Sequence, residues 1–262
     1  MAAYFQDYLL HLADNAVILG QRNAEWCGHG PILEEDLALA NNSLDLIGQA
    51  RLLYQHVATV RKDGKTSEDL LAYFRDVPEF KNYTLLELPH STALAPTASG
   101  DRDYAVTIGR NFLYSALMVL VWDGLKASND AQLAAIAAKS LKEAQYHLRH
   151  AHDWLLRLGD GTDESHAKMQ AAIDHLMPYT QEFWTSSAME TAVAKSGQGV
   201  DVQPLKAEWN ALVNDALAAA TLKRPAEGGY VSTGKSGVHS EHLGFVLAEM
   251  QSLARAHPEA VW

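Results

Sequence analysis

Basic residues and cysteine are what this chain has little of. Its 262 residues hold 21 Lys and Arg against 32 Asp and Glu, for a net charge of −11, and a single cysteine, Cys27. One cysteine forms no internal disulfide, which points to a reducing compartment and predicts a cytoplasmic protein. The acidic excess argues against a surface built for nucleic-acid phosphates. The N-terminal stretch carries acidic residues and no basic leader before an apolar run, so a signal peptide is not expected. The most apolar stretch, Leu113 to Val121, is interrupted by Ser115, followed by Asp123 and well short of the ~20 residues that cross a bilayer, so no membrane is expected either. β-branched runs are nearly absent, which removes the usual strand signal.

What is present favours helix. An apolar fraction of 48% is too high for a disordered chain. Ala, Leu, Gln, Glu and Lys recur with helical period. That period predicts helices over about 4–22, 34–60, 67–74, 101–126, 130–158, 164–184, 187–195, 204–222 and 240–256. Glu34, Glu35 and Asp36 sit in a first turn, where the helix dipole favours them. Ser67, Asp130, either Thr162 or Asp163, and Ser240 read as N-caps. Pro178 predicts a kink and Pro204 a first-turn position. The stretch from Val77 to Gly100 holds Pro78, Pro89 and Pro96, and is expected to be irregular, functional or strapped across a surface. It lies where a ferritin-like bundle carries its one long crossover. With no linker and no composition shift, the expectation is a single all-α domain over 1–262. It would be a ferritin-like four-helix bundle with a long crossover and extra C-terminal helices.

A ferritin-like bundle invites a test for a di-iron carboxylate site. Such a site takes a Glu from each of two helices and Glu-x-x-His from each of the other two, because the i, i+3 spacing aims carboxylate and imidazole at one ion. Here the second helix offers Asp45 with Gly48 where His belongs. The helix over 130–158 offers Glu143 with Tyr146 in place of His. His147 and His150 miss the required offset, although Glu143 and His147 share a face at i, i+4. These positions read as vestigial, so no metal is expected. The bland alternative is a buried polar cluster of Asp45, Glu143 and Tyr146, tied by hydrogen bonds or by Arg51, Arg149 or Arg110. A further alternative is a degenerate metal-binding oxidase working alone through Asp45, Glu143 and His147; another is a plain helical interaction module.

Three other motifs carry weaker signals. His239-Ser240-Glu241-His242 looks metal-like but opens a helix, where capping and partner contact explain it. Cys27 beside His29 suggests a nucleophile but lacks an interpretable third member; a buried or interfacial thiol is the usual case. Gly228-Gly229 and Gly234-Lys235-Ser236-Gly237 lack the preceding strand and the spacing of a phosphate loop, and read as a mobile loop with a lysine near an acidic or phosphate-bearing partner.

The segments RNAEWCGHGPILEEDLALANNSLDLIGQAR (Arg22 to Arg51), SLKEAQYHLRHAHDWLLRLGDGTDES (Ser140 to Ser165) and GKSGVHSEHLGFVLAEMQ (Gly234 to Gln251) are long and rich in uncommon residues in order. Through them the chain resembles the C-subunit family of the phenylacetyl-CoA epoxidase system over essentially its whole length. The resemblance implies a non-catalytic structural subunit of a bacterial multicomponent di-iron monooxygenase of aerobic phenylacetate catabolism. It implies a catalytic A subunit as partner, with the di-iron centre there, and NADPH, FAD and an Fe-S cluster in a partner reductase. This subunit would hold no cofactor, and when alone would pair with itself. The resemblance also places part of the site for phenylacetyl-CoA on Glu79, Phe80, Lys81 and Asn82, and on Thr191, Ala192 and Val193. Lys81 suits a phosphate and Asn82 an amide of the pantetheine arm, while simple packing explains Phe80 equally well. An anionic CoA ester must be met by local Lys and Arg, because the net charge repels it.

Overall fold

A computed structural model of the chain describes residues 2–93 and 102–260. In order, the helices are α1 (Ala2–Ala24), α2 (Leu33–Arg61), α3 (Glu68–Tyr73), α4 (Thr84–Glu87), α5 (Tyr104–Leu125), α6 (Ala131–Gly159), α7 (Asp163–Leu176), α8 (Ala188–Lys195), α9 (Lys206–Ala219) and α10 (Glu241–Ala256). Among the described residues there is no strand; one isolated bridge joins Thr233 and Val238. The fold is all-α, and the order of long helix pair, long connection and second long helix pair is consistent with a ferritin-like bundle.

The chain divides into two compact units, Met1–Leu88 with Thr233–Trp262, and Pro89–Ser232. In the first, α1 and α2 pack as an antiparallel hairpin: Phe5 meets His56 edge-on at 5.9 Å, and Gly20 faces Leu46. A Cβ at Gly20 would lie 3.3 Å from Ile47, so the small residue lets the two helices approach closely. α2 ends at Lys62, a left-handed residue whose N–H returns to the Ala58 carbonyl, one residue before the expected Asp63-Gly64 stop. Asp63 instead shapes the turn that follows. It accepts hydrogen bonds from the Thr66 and Lys65 N–H groups, which hold its carboxyl at about 2. Ser67 caps α3 as expected, accepting from Leu70 N.

In the second unit α5 and α6 form the corresponding antiparallel pair, with Tyr104 edge-on to Trp154 at 5.3 Å. α5 is apolar over more residues than the Leu113 to Val121 run suggests. All 22 of its residues form one helix, long and apolar enough by composition to cross a membrane, yet 94% of its apolar window is buried inside the protein. It is therefore a core helix. α6 presents Ala137, Ala144 and Ala151 to the interior. Asp130, Thr162 and Ser187 cap α6, α7 and α8. α7 does not run through to 184. It ends at Leu176 and continues as a 3-10 segment, Met177–Trp184, because Pro178 supplies no N–H for the α-helical pattern. Phe183, Trp184 and Trp209 pack edge to face, and the Trp209 indole N–H donates to the Leu113 carbonyl at 3.1 Å.

The stretch from Val77 to Gly100 differs from expectation. Its part over 94–100, with Pro96, lies outside the described residues. The part before that is not a surface strap. A 3-10 turn (Val77–Glu79) and α4 fold it inward, and Phe80, Asn82, Tyr83, Leu85, Leu86, Glu87 and Leu88 are buried. Buried backbone needs partners, and side chains from α1, from Arg75 after α3 and from His239 just before α10 supply them.

Candidate functional site

Two charged groups organise the inside of the first unit. Asp14 lies on the buried face of α1 with no exposed surface. Its carboxylate accepts from Tyr54 Oη at 2.6 Å, from the Lys81 N–H at 2.8 Å, and from both terminal nitrogens of Arg75. Arg75 also donates to the Glu79 carbonyl at 3.0 Å, and its guanidinium stacks over Phe80 at 4.2 Å. Burial, followed by the negative charge of Asp14, pushes the Tyr54 hydroxyl well above its ordinary pKa, so it stays a donor. Burial alone would lower the Arg75 pKa, but Asp14 and Tyr54 outweigh it and hold the guanidinium above its ordinary value. One turn away on α1, His11 Nδ1 donates to the Lys81 carbonyl at 2.6 Å, and Asn15 Oδ1 accepts the Tyr83 N–H at 2.8 Å. Between them, His11, Asp14, Asn15 and Arg75 hold the backbone of 79–83 in place.

Glu87, the last residue of α4 and fully buried, is the second organiser. Its carboxylate accepts from the Ser240 N–H at 2.6 Å, from Asn82 Nδ2 at 2.9 Å and from His239 Nδ1 at 2.8 Å. His239 Nε2 faces the Phe80 carbonyl at 2.9 Å, an atom that can only accept. A proton on each ring nitrogen satisfies both facing acceptors, so the hydrogen-bond geometry assigns His239 as an imidazolium beside Glu87. Ser240 does not cap α10 through its hydroxyl; the residue's N–H goes to Glu87, and Oγ is buried without a partner. The metal-like sequence His239 to His242 is thus an anchor that pins the start of α10 to α4. His242 is also buried, and desolvation together with nearby Arg22 holds its pKa below the ordinary value.

The predicted ligand positions divide between the units. Of the first group, Phe80 and Asn82 are completely buried and engaged inside the protein. Glu79 is exposed and closes a capping box on the Asp76 N–H, and Lys81 is half-buried. Of the second group, in the other unit, Val193 is buried, Ala192 half-buried and Thr191 exposed. Thr191 lines a cleft of about 450 Å³ together with Glu190, Lys195 and Gln203.

The positions that the sequence reads as vestigial ligands do not form the alternative buried polar cluster of Asp45, Glu143 and Tyr146. Tyr146 is 43% exposed, with Arg149 over its ring at 5.6 Å. Glu143 is half-buried and paired with Lys139 at 2.5 Å. Arg51 pairs with Glu68 at 3.4 Å, not with Asp45, and Arg110 donates to the Pro89 carbonyl. Asp45 and Gly48 are half-buried on α2. His147 is buried on α6. Among the described residues no group of three His, Cys, Asp or Glu side chains is placed to hold a metal ion. The residues present therefore do not fit the di-iron group that a ferritin-like fold invites. Two further expectations change. Cys27 is exposed on the single chain, so of the buried or interfacial settings expected of it the buried one does not hold. Lys235 is buried with its ammonium 5.8 Å from the Tyr83 ring centre, and Gly234 lies against the Asn82 carbonyl, so this part of the glycine-rich loop is packed.

Sequence reasoning missed Asp14, Tyr54, Arg75 and Glu87. The available signal was the run His11, Asp14, Asn15, polar residues at helical spacing on an otherwise apolar face. All these charged groups are consumed by intramolecular partners, and His239 has both ring nitrogens engaged, which leaves it no free site for proton transfer to a ligand.

Residues 2–262 match the family described as phenylacetic acid catabolic protein. The chain is also 45% identical over 255 residues to the C-subunit of the 1,2-phenylacetyl-CoA epoxidase of Escherichia coli (strain K12), covering 97% of this chain and 98% of that one. The chain therefore belongs to the phenylacetic acid catabolic protein family.

Proposed function

We propose that this chain is the structural, non-catalytic subunit of a multicomponent oxygenase that epoxidises phenylacetyl-CoA in aerobic phenylacetate catabolism, in the cytoplasm. The carrying observation is the state of the metal positions. Gly48 and Tyr146 stand where imidazole ligands belong, Tyr146 is exposed, and Glu143 is taken by Lys139. Support also comes from the interior of the first unit, where every organising charge is spent on holding backbone. In this reading the di-iron centre belongs to a catalytic A subunit, and NADPH, FAD and Fe-S chemistry belong to a reductase. This chain contributes to CoA-ester binding at its surface, with Glu79 and Lys81 facing the ligand while Phe80 and Asn82 fix the backbone between them. Thr191, beside Ala192 and Val193, edges a second contact.

The test is reconstitution. Isolated chain loaded with ferrous iron is expected to retain no stoichiometric iron and to form no epoxide. Chain combined with A subunit and reductase is expected to support turnover that the A subunit alone does not sustain. Stoichiometric iron with epoxidation by the isolated chain would sink the proposal.

A further inference from the structure

The segment 79–83 holds one lysine whose side chain the fold does not use. Phe80 and Asn82 on either side of Lys81 have no exposed surface, and Tyr83 is 3% exposed, whereas Lys81 is half-buried. Its peptide groups are nevertheless gripped from inside. The Lys81 N–H donates to Asp14 Oδ2 at 2.8 Å, and its carbonyl accepts from the buried His11 Nδ1 at 2.6 Å. The Phe80 carbonyl before it faces His239 Nε2 at 2.9 Å, and the Tyr83 N–H beyond it donates to Asn15 Oδ1 at 2.8 Å. Asn15 also sets the tautomer of His11. Its Nδ2 donates toward His11 Nε2 at 3.3 Å, so the ring proton sits on Nδ1 and points at Lys81. Tyr83 meets the His11 ring edge-on at 4.8 Å and holds its plane.

Lys81 spends only backbone atoms on these bonds, and among the described residues its ammonium has no partner. A buried strap needs its peptide groups paired, but an apolar residue at position 81 would meet that need equally well. At a lysine the same bonds do more: the stem leaves a fixed backbone, so less freedom is lost when the ammonium meets an anion. Neighbouring Glu79 does not compete for that anion's place, because its carboxylate is drawn back to the Asp76 N–H at 2.8 Å.

We propose, resting on the functional reading above, that His11 is a positioning residue: with Asp14 it sets the Lys81 peptide so that the ammonium stands ready for a phosphate of the CoA ester. The net charge of −11 repels such a ligand at a distance, so binding depends on cations fixed at the point of contact.

The test is the KM for phenylacetyl-CoA of the complete complex, reconstituted from this chain, the A subunit and the reductase. Lys81→Ala is expected to raise KM about tenfold and Lys81→Arg only about twofold, with kcat little changed. His11→Ala is expected to raise KM about fivefold, and His11→Asn, whose amide nitrogen takes the place of Nδ1, to restore most of it. In the Lys81→Ala background, His11→Ala should raise KM no further, because the cation that it positions is gone. His11→Gln shifts the donor by one bond and is expected to behave like His11→Ala; it carries the test where the alanine variant does not fold. A normal KM in both His11→Ala and His11→Gln, beside a raised one in Lys81→Ala, would overturn the positioning role and leave the ester contact standing. An effect of His11→Ala that is as large without Lys81 as with it would assign His11 to folding alone and overturn the role too. A normal KM in Lys81→Ala would remove the ester from this segment, and the positioning role with it. Failure of the unaltered complex to turn over phenylacetyl-CoA would bring down the functional reading itself.

Discussion

Glu87→Ala tests whether the anchor between α4 and α10 is energetic or incidental. The substitution removes the acceptor of the Ser240 N–H and the carboxylate that His239 and Asn82 address. Each buried neutral donor left without a partner costs about 1–3 kcal/mol. Breaking a buried charge pair by removing one member costs about 3–5 kcal/mol. The terms do not simply add, because His239 can shed its second proton and keep its bond to the Phe80 carbonyl. A net loss of about 3–5 kcal/mol is therefore expected, a large share of the ~5–15 kcal/mol that holds an ordinary domain together. Urea unfolding followed by helical circular dichroism reads it directly. Glu87→Gln keeps shape and one acceptor oxygen and is expected to cost less, about 1–3 kcal/mol. Pairing Glu87→Ala with His239→Ala should cost less than the sum of the singles by at least about 1 kcal/mol. A cost under about 1 kcal/mol for Glu87→Ala, or strict additivity with His239→Ala, would refute the ion-pair reasoning.

Three other outcomes follow from the same interior. Asp14→Ala strands Arg75, the Tyr54 hydroxyl and the Lys81 N–H, and is expected to cost about 3–5 kcal/mol in denaturant unfolding, with Asp14→Asn partway between. His242, whose folded pKa lies below its unfolded value near 6.5, contributes stability that is full above that pH and declines as pH falls toward the folded pKa. Melting curves between about pH 8 and pH 5 should lose part of their slope in His242→Gln, and an unchanged slope would remove His242 as its source. Gly237 has φ of +82°, and a Cβ there would lie 2.5 Å from the Pro78 carbonyl. Gly237→Ala should cost at least about 1–2 kcal/mol and lower the melting temperature by several degrees; an unchanged melting temperature would contradict the steric reading.

Much of the local structure is legible in the residues. Ser67, Asp130 and Thr162 cap the helices that the sequence assigns them, because a short side-chain oxygen beside bare N–H groups needs only its own neighbours. Ser240 departs from that pattern: its Oγ makes no cap bond, and its own N–H goes to a carboxylate 153 positions away. Pro178 predicts a kink, and in the fold it ends the α-helical pattern outright. Proline signals a fault line but does not say how far the chain carries on beyond it.

The amino-acid sequence by itself determined the all-α class, the helix pairs and the family, since each depends on residue type, period or spacing along the chain. Only the tertiary structure decided that Tyr146 faces solvent, that Phe80 and Asn82 are sealed inside, and that the acidic surplus includes two structural charges, Asp14 and Glu87. Those outcomes depend on which donors distant segments deliver to one point, and burial multiplies the strength of every such meeting. The scarcity of basic residues takes on a sharper meaning there. Arg22, Arg75, Arg110 and Lys235 lie buried, and fewer remain at the surface to meet an anionic ligand.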